Sequence, residues 1–93
     1  MKMSGIEIAS KKGNVSDYVD ADITKEGDLR LIRNSFGPGD YETEVIAAVD
    51  KDDKDRLLME LLKELYNGNT SAVDDFTAFA ESKGIPVQRF RWP

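Results

Sequence analysis

The sequence contains no histidine and no cysteine. Without imidazole the commonest general base at neutral pH is missing. Ser-His and Cys-His nucleophile pairs are excluded with it. So is every ordinary zinc or copper site, because these need imidazole or thiolate ligands. No cofactor is expected. The absence of cysteine also removes the disulfides on which small secreted domains commonly rely, and fits a reducing compartment. No apolar stretch approaches the roughly 20 residues that span a bilayer. Met1-Lys2-Met3-Ser4-Gly5 runs into a charged, strand-like segment with no apolar core of a leader, so no signal peptide is expected. The expected setting is cytoplasmic, with no membrane contact. A surplus of basic residues is also missing: 13 Lys and Arg stand against 18 Asp and Glu, a formal net charge of −5. Phosphate backbones repel such a chain, so direct nucleic-acid binding is not expected.

The chain has 93 residues, of which 40% are hydrophobic. That is the size of one domain and rich enough in apolar residues to fold.

The first half reads as strands. Gly5-Ile6-Glu7-Ile8-Ala9-Ser10 alternates apolar and polar, as a half-buried strand does. Val19, Ala21 and Ile23 alternate with Asp20 and Asp22. Lys25-Glu26-Gly27-Asp28 marks a turn. Leu29-Arg30-Leu31 resumes the alternation, so residues 18–33 are expected to form a hairpin. Asn34-Ser35-Phe36-Gly37-Pro38-Gly39-Asp40 is irregular, because its glycines and proline suit neither a helix nor a central strand. Residues 41–49 form the next strand. Tyr41, Thr43, Val45, Ala47 and Val49 share one face. The other face runs from Glu42 and Glu44 to Ile46 and Ala48.

The second half reads as helices. Asp50-Lys51-Asp52-Asp53 supplies an N-cap and first-turn acids that suit the helix dipole. Leu57, Leu58, Leu61, Leu62 and Leu65 make one apolar stripe, which Tyr66 extends. Gly68 is placed to end that helix. Ser71 with Asp74 resembles a capping box for a second helix. Val73, Phe76, Phe79 and Ala80 make its expected buried stripe. On that pattern Leu61→Ala and Phe76→Ala each cost about 2–5 kcal/mol. Lys83-Gly84-Ile85-Pro86 ends the second helix. Val87 to Trp92 alternates again and reads as a final short strand. The expected fold is α+β, in the order β-β-β-β-α-α-β. It is a mostly antiparallel sheet of four to five strands with two helices on one face.

Carboxylates are the remaining source of chemistry. Asp50-Lys51-Asp52-Asp53-Lys54-Asp55 resembles the start of a calcium loop, but the EF-hand pattern wants Gly at the sixth position and Glu at the twelfth. Counted from Asp50, those positions hold Asp55 and Leu61. The run suits a cap and a solvated first turn. Asp74-Asp75 and Glu42/Glu44 could pair for glycoside chemistry, yet nothing in their spacing sets them apart from surface acids. Gly37-Pro38-Gly39 lacks the Lys-Ser/Thr ending of a phosphate loop. It reads as a wide turn, or as an exposed recognition loop based on Phe36 and Tyr41.

Two surfaces remain. Asp40, Glu42, Glu44, Asp50, Asp52, Asp53 and Asp55 crowd one strand and one helix start, and could form an acidic end or edge of the domain. Arg89-Phe90-Arg91-Trp92 is the basic-aromatic cluster. Alternation puts Phe90 and Trp92 beneath the helices, with Arg89 and Arg91 pairing acids on a neighbouring strand. The same residue types also suit a protein contact. The expectation is therefore a small acidic, non-catalytic protein-binding module of the adaptor, inhibitor or immunity type. Its partner is another protein. Phe36, Asp40, Tyr41, Glu42, Glu44, Asp52, Asp53, Arg89, Arg91 and Trp92 are its candidate contacts. A nucleic-acid mimic that occupies a nucleic-acid-binding protein is the second reading. A structural homo-oligomer, with Phe36 and Trp92 at its interface, is the third.

Overall fold

The structure is a computed structural model that describes residues 5–92. Met1–Ser4, part of the segment on which the signal-peptide expectation rests, lie outside the described residues, as does Pro93. Six elements follow in order: β1 (Ile6–Lys11), β2 (Ser16–Ile23), β3 (Leu29–Phe36), β4 (Glu42–Val49), α1 (Lys51–Tyr66) and α2 (Ala72–Ser82). The strands form one antiparallel sheet in the order β1-β2-β3-β4. The fold is α+β, with its four strands in the regions the alternation marks. However, β3 runs on through Asn34-Ser35-Phe36, expected to be irregular. The reason is that the glycines and proline that break a strand begin only at Gly37, and these three residues find ladder partners on both β2 and β4. The chain divides into two compact units, with the boundary between Met59 and Glu60 inside α1.

In the first unit, the register fixes which side chains share a face. β2 pairs with β3 from Ser16↔Phe36 to Ile23↔Leu29, and β3 with β4 from Leu29↔Val49 to Phe36↔Glu42, both without a break. Successive side chains point to opposite faces. One face therefore carries Val19, Ala21, Ile23, Leu29, Leu31, Val45, Ala47 and Val49, with Asp17, Arg33, Ser35 and Thr43 toward one end. The other carries Asp20, Asp22, Arg30, Ile32, Asn34, Glu42, Glu44 and Ile46, together with Tyr18, Phe36 and Ala48. β1 differs, because its register with β2 shifts between Glu7 and Ala9, a bulge at Ile8. Full burial in this unit falls on Asp22 and Ser35 among the described residues. Ser35 donates its hydroxyl to Asp17, directly across β2, at 2.5 Å.

The start of α1 is built by two carboxylates. Asp50 Oδ1 accepts the Asp52 N–H at 2.8 Å, as its N-cap position predicts. Asp28, in the turn between β2 and β3, accepts the Lys51 N–H at 2.8 Å. Lys54 Nζ donates to the Gly27 carbonyl of the same turn at 2.8 Å. Each bond takes up a group that the helix start or the turn would otherwise leave to water.

In the second unit, three expectations need correction. The Ser71–Asp74 capping box does not form, because Ser71 makes no side-chain cap bond. Asn69 braces the turn before the helix: its Oδ1 accepts the Ser71 N–H, and its Nδ2 donates to Asp75, each at 2.8 Å. The stripe Val73-Phe76-Phe79-Ala80 is buried only at Ala80, with Thr77 beside it, while Phe79 is 57% exposed. A unit this short has too little mass to enclose two phenyl rings. Val87–Trp92 forms no strand. Its alternation sorts two faces, but a strand also needs a ladder partner for its backbone, and alternation does not supply one. The end of α2 is as expected: the N–H groups of Lys83, Gly84 and Ile85 return to the carbonyls of Ala80, Glu81 and Ala80. α1 has no buried residue, and Leu58, Leu61 and Leu65 are exposed. The boundary after Met59 divides their stripe between the two units.

Candidate functional site: the acidic face and the β4 edge

The polar face of the sheet holds an open cleft of about 370 Å³. Asp20 and Asp22 line it from β2, Arg30, Ile32 and Asn34 from β3, and Glu44 and Ile46 from β4. All seven share a face because their register partners alternate in step.

Asp22 and Arg30 are direct cross-strand partners. The guanidinium grips the carboxylate with two bonds, Nε to Oδ1 at 2.8 Å and the terminal nitrogen to Oδ2 at 2.5 Å. The Asp22 side chain is 5% exposed. A buried carboxylate needs such a partner, and the planar fork of arginine fits it in two places at once. Bonding to Asp22 pushes the Arg30 pKa up, and the charges of Asp22 and Glu44 add to this against partial desolvation. The sign follows directly. A cation with a raised folded pKa contributes stability that is complete below its unfolded value and is lost only as pH rises through the folded one. Arg30 therefore stays charged throughout the range in which proteins are handled.

With Arg30 taken by Asp22, the cleft keeps a negative surplus. Asp20 and Glu44 line it and make no salt bridge among the described residues. No group of three or more acids among the described residues is placed to hold a metal ion.

The two edges of the sheet differ. β1 is bulged, which twists an edge away from further pairing. β4 is regular over all eight residues and pairs only with β3 among the described strands. Glu42 and Glu44 sit in its first half. Its second half, Val45-Ile46-Ala47-Ala48-Val49, carries no charge, with Val45 48% exposed.

The loop from β3 to β4 closes on itself. Gly37 N–H donates to the Tyr41 carbonyl at 3.0 Å and Tyr41 N–H to the Pro38 carbonyl at 3.4 Å. Tyr41 lies so close over Gly37 that a Cβ there would stand 2.9 Å from its ring. That approach is why glycine occupies the position. Phe36 packs edge-on to Tyr18 across β2, ring centroids 6.0 Å apart. Phe36, Asp40, Tyr41, Glu42 and Glu44 thus gather at one end of β4.

The rest of the expected acidic edge lies elsewhere. Asp52 and Asp53 stand in the first turn of α1, beyond the other end of β4. A strand of this length spans about 24 Å, so the acids of residues 40–55 do not form one patch. Asp53 pairs with Arg56 at 3.6 Å. In the second unit, Arg89 bonds Asp74 of α2 at 2.6 Å, a helix residue rather than the expected strand acid. Phe90 and Trp92 are 85% and 95% exposed, not covered by helices. Arg91 is exposed beside them.

Asp20, Asp22, Arg30 and Asn34 were not singled out by sequence reasoning. A signal was present for Asp22 and Arg30: once the turn at residues 24–28 is fixed, counting back along the hairpin puts them opposite each other.

The chain matches no family model, no curated protein and no solved structure. No helix among the described residues is long and apolar enough to cross a membrane.

Proposed function

We propose that the protein is a non-catalytic protein-binding module that takes an extended, basic segment of its partner along β4. The observation that carries this reading is the asymmetry of the edges: β1 is bulged, while β4 is regular, has no second strand partner among the described residues, and carries Glu42 and Glu44 on one face. An open edge offers backbone donors and acceptors to an added strand, and alternate side chains then set specificity. Glu42 and Glu44 call for cations two residues apart on the added strand. Thr43 and Val45 call for apolar residues between them.

Titrating the protein with an alternating lysine–valine peptide tests this. Binding is expected, weakening as salt rises, and lost when glutamate replaces lysine in the peptide. Equal binding of both peptides, or of neither, overturns the reading. The nucleic-acid mimic has less support. Its phosphate-like row would need a contiguous line of acids, and the uncharged half of β4 separates Glu44 from Asp50.

A further inference from the structure

We propose that β4 accepts the C-terminal segment of a second copy of this chain as an antiparallel fifth strand. The inference rests on β4 being a docking edge and names an occupant for it.

The segment Val87-Gln88-Arg89-Phe90-Arg91-Trp92 has a strand's alternation and no strand's partner. β4 has a strand's geometry and one unpaired side. Their charges are complementary on one face. In the antiparallel register that sets Arg91 opposite Glu42, Arg89 falls opposite Glu44, and both ion pairs lie on the acidic face. Phe90 then falls opposite Thr43, with Gln88 opposite Val45. Trp92 falls opposite Tyr41, which is 51% exposed. These residues lie on the face where β3 sets Arg33 beside Val45 and Ser35 beside Thr43. A shift by one residue would set arginines against Thr43 and Val45 and aromatics against the acids, so alternation favours this register. The whole sheet is antiparallel, and the added strand continues that pattern. Phe90 and Trp92, exposed in their own unit, gain cross-strand neighbours. Arg89 must share or leave Asp74, and an exposed ion pair is weak enough to allow it. Two copies that exchange segments close a two-fold dimer, in which an added basic peptide reaches β4 by displacing the tail of the other copy.

Charge exchange between separate chains tests the proposal. Glu42 and Arg91 are both exposed, so Glu42→Arg and Arg91→Glu should leave the fold intact, checked by circular dichroism. Sedimentation of the full-length wild type is expected to show a dimer. Each single variant should weaken it by about tenfold or more, since like charges then face each other. An equimolar mixture of the two variants should restore it, because each tail then meets an edge of opposite charge. Docking of a tail within its own chain would not be restored by mixing. A wild type that stays monomeric, single variants that dimerise like the wild type, or a mixture no stronger than its components would each overturn the proposal. If the lysine–valine peptide still bound in any of those cases, β4 would remain a docking edge with a different occupant. If it did not, both readings would fall.

Discussion

Replacing Asp28 by alanine should loosen α1 although Asp28 lies 23 residues before the helix. Its carboxylate accepts the Lys51 N–H at 2.8 Å, so it acts as a cap supplied from the β2–β3 turn. Loss of a capping side chain costs about 1 kcal/mol, within a range of about 0.5–2. The negative charge at a helix N-terminus adds about 0.3–1 kcal/mol when exposed. The expected total is about 1–2 kcal/mol. Two contacts limit it: Asp50 still caps Asp52, and Lys54 still reaches Gly27. For a domain of this size each kcal/mol lowers the melting temperature by about 4–8 °C. Thermal melts followed by circular dichroism at 222 nm should therefore show Asp28→Ala at least about 4 °C below the wild type. Asp28→Asn keeps an acceptor and loses the charge, so it should fall between the two. At about 0.5 M salt the charge contribution is screened, and Asp28→Asn should approach the wild type. An Asp28→Ala protein melting within about 1 °C of the wild type at low and high salt would refute the remote cap.

Other substitutions probe the rest of the structure. Gly37→Ala should cost about 1–3 kcal/mol through overpacking against Tyr41. Gly37→Ala with Tyr41→Ala should cost less than the sum of the two singles in urea melts, and strict additivity would contradict the close approach. Ser35→Ala removes a buried hydroxyl bonded to a carboxylate and should cost about 1.5–3 kcal/mol, read from the urea midpoint at unchanged slope. Leu61 is 54% exposed, so Leu61→Ala should cost about 1 kcal/mol, not the 2–5 of an enclosed leucine. A larger loss would mean that the α1 stripe is covered in solution.

The strands were legible because alternation of apolar and polar residues is a local property. Val19, Ala21 and Ile23 against Asp20 and Asp22 fix both the strand and its faces. Gly27 and Gly37-Pro38-Gly39 mark where the chain reverses. The helix ends were legible for the same reason, since Asp50, Gly68 and Gly84 act within one turn of themselves. Partner choice is not local, and there the reading ran short. Nothing within Lys25–Asp28 announces that Asp28 caps a helix beyond β4. Ser71 is the N-cap residue, as the pattern suggests, but its hydroxyl makes no cap bond, and the spacing of Ser71 and Asp74 does not fix that side-chain geometry. Val87–Trp92 shows the limit most plainly. Its residues specify two faces and leave open which strand, and from which molecule, completes the ladder.

Of the candidate site, the cluster Phe36, Asp40, Tyr41, Glu42 and Glu44 came together because the residues adjoin one loop. Asp52 and Asp53 did not join them, because the run of acids in the sequence follows β4 from one end to the other. The Asp22–Arg30 fork needed the register of the hairpin, which alternation alone does not count.

On the proposed reading, the protein binds its partner through β4 and not through β1. Backbone amide shifts recorded while the alternating lysine–valine peptide is added test it most directly. Shifts concentrated at Glu42–Val49 and saturating with the peptide are the result the account predicts. Shifts centred on Ile6–Lys11, or no shifts in either strand, would contradict it.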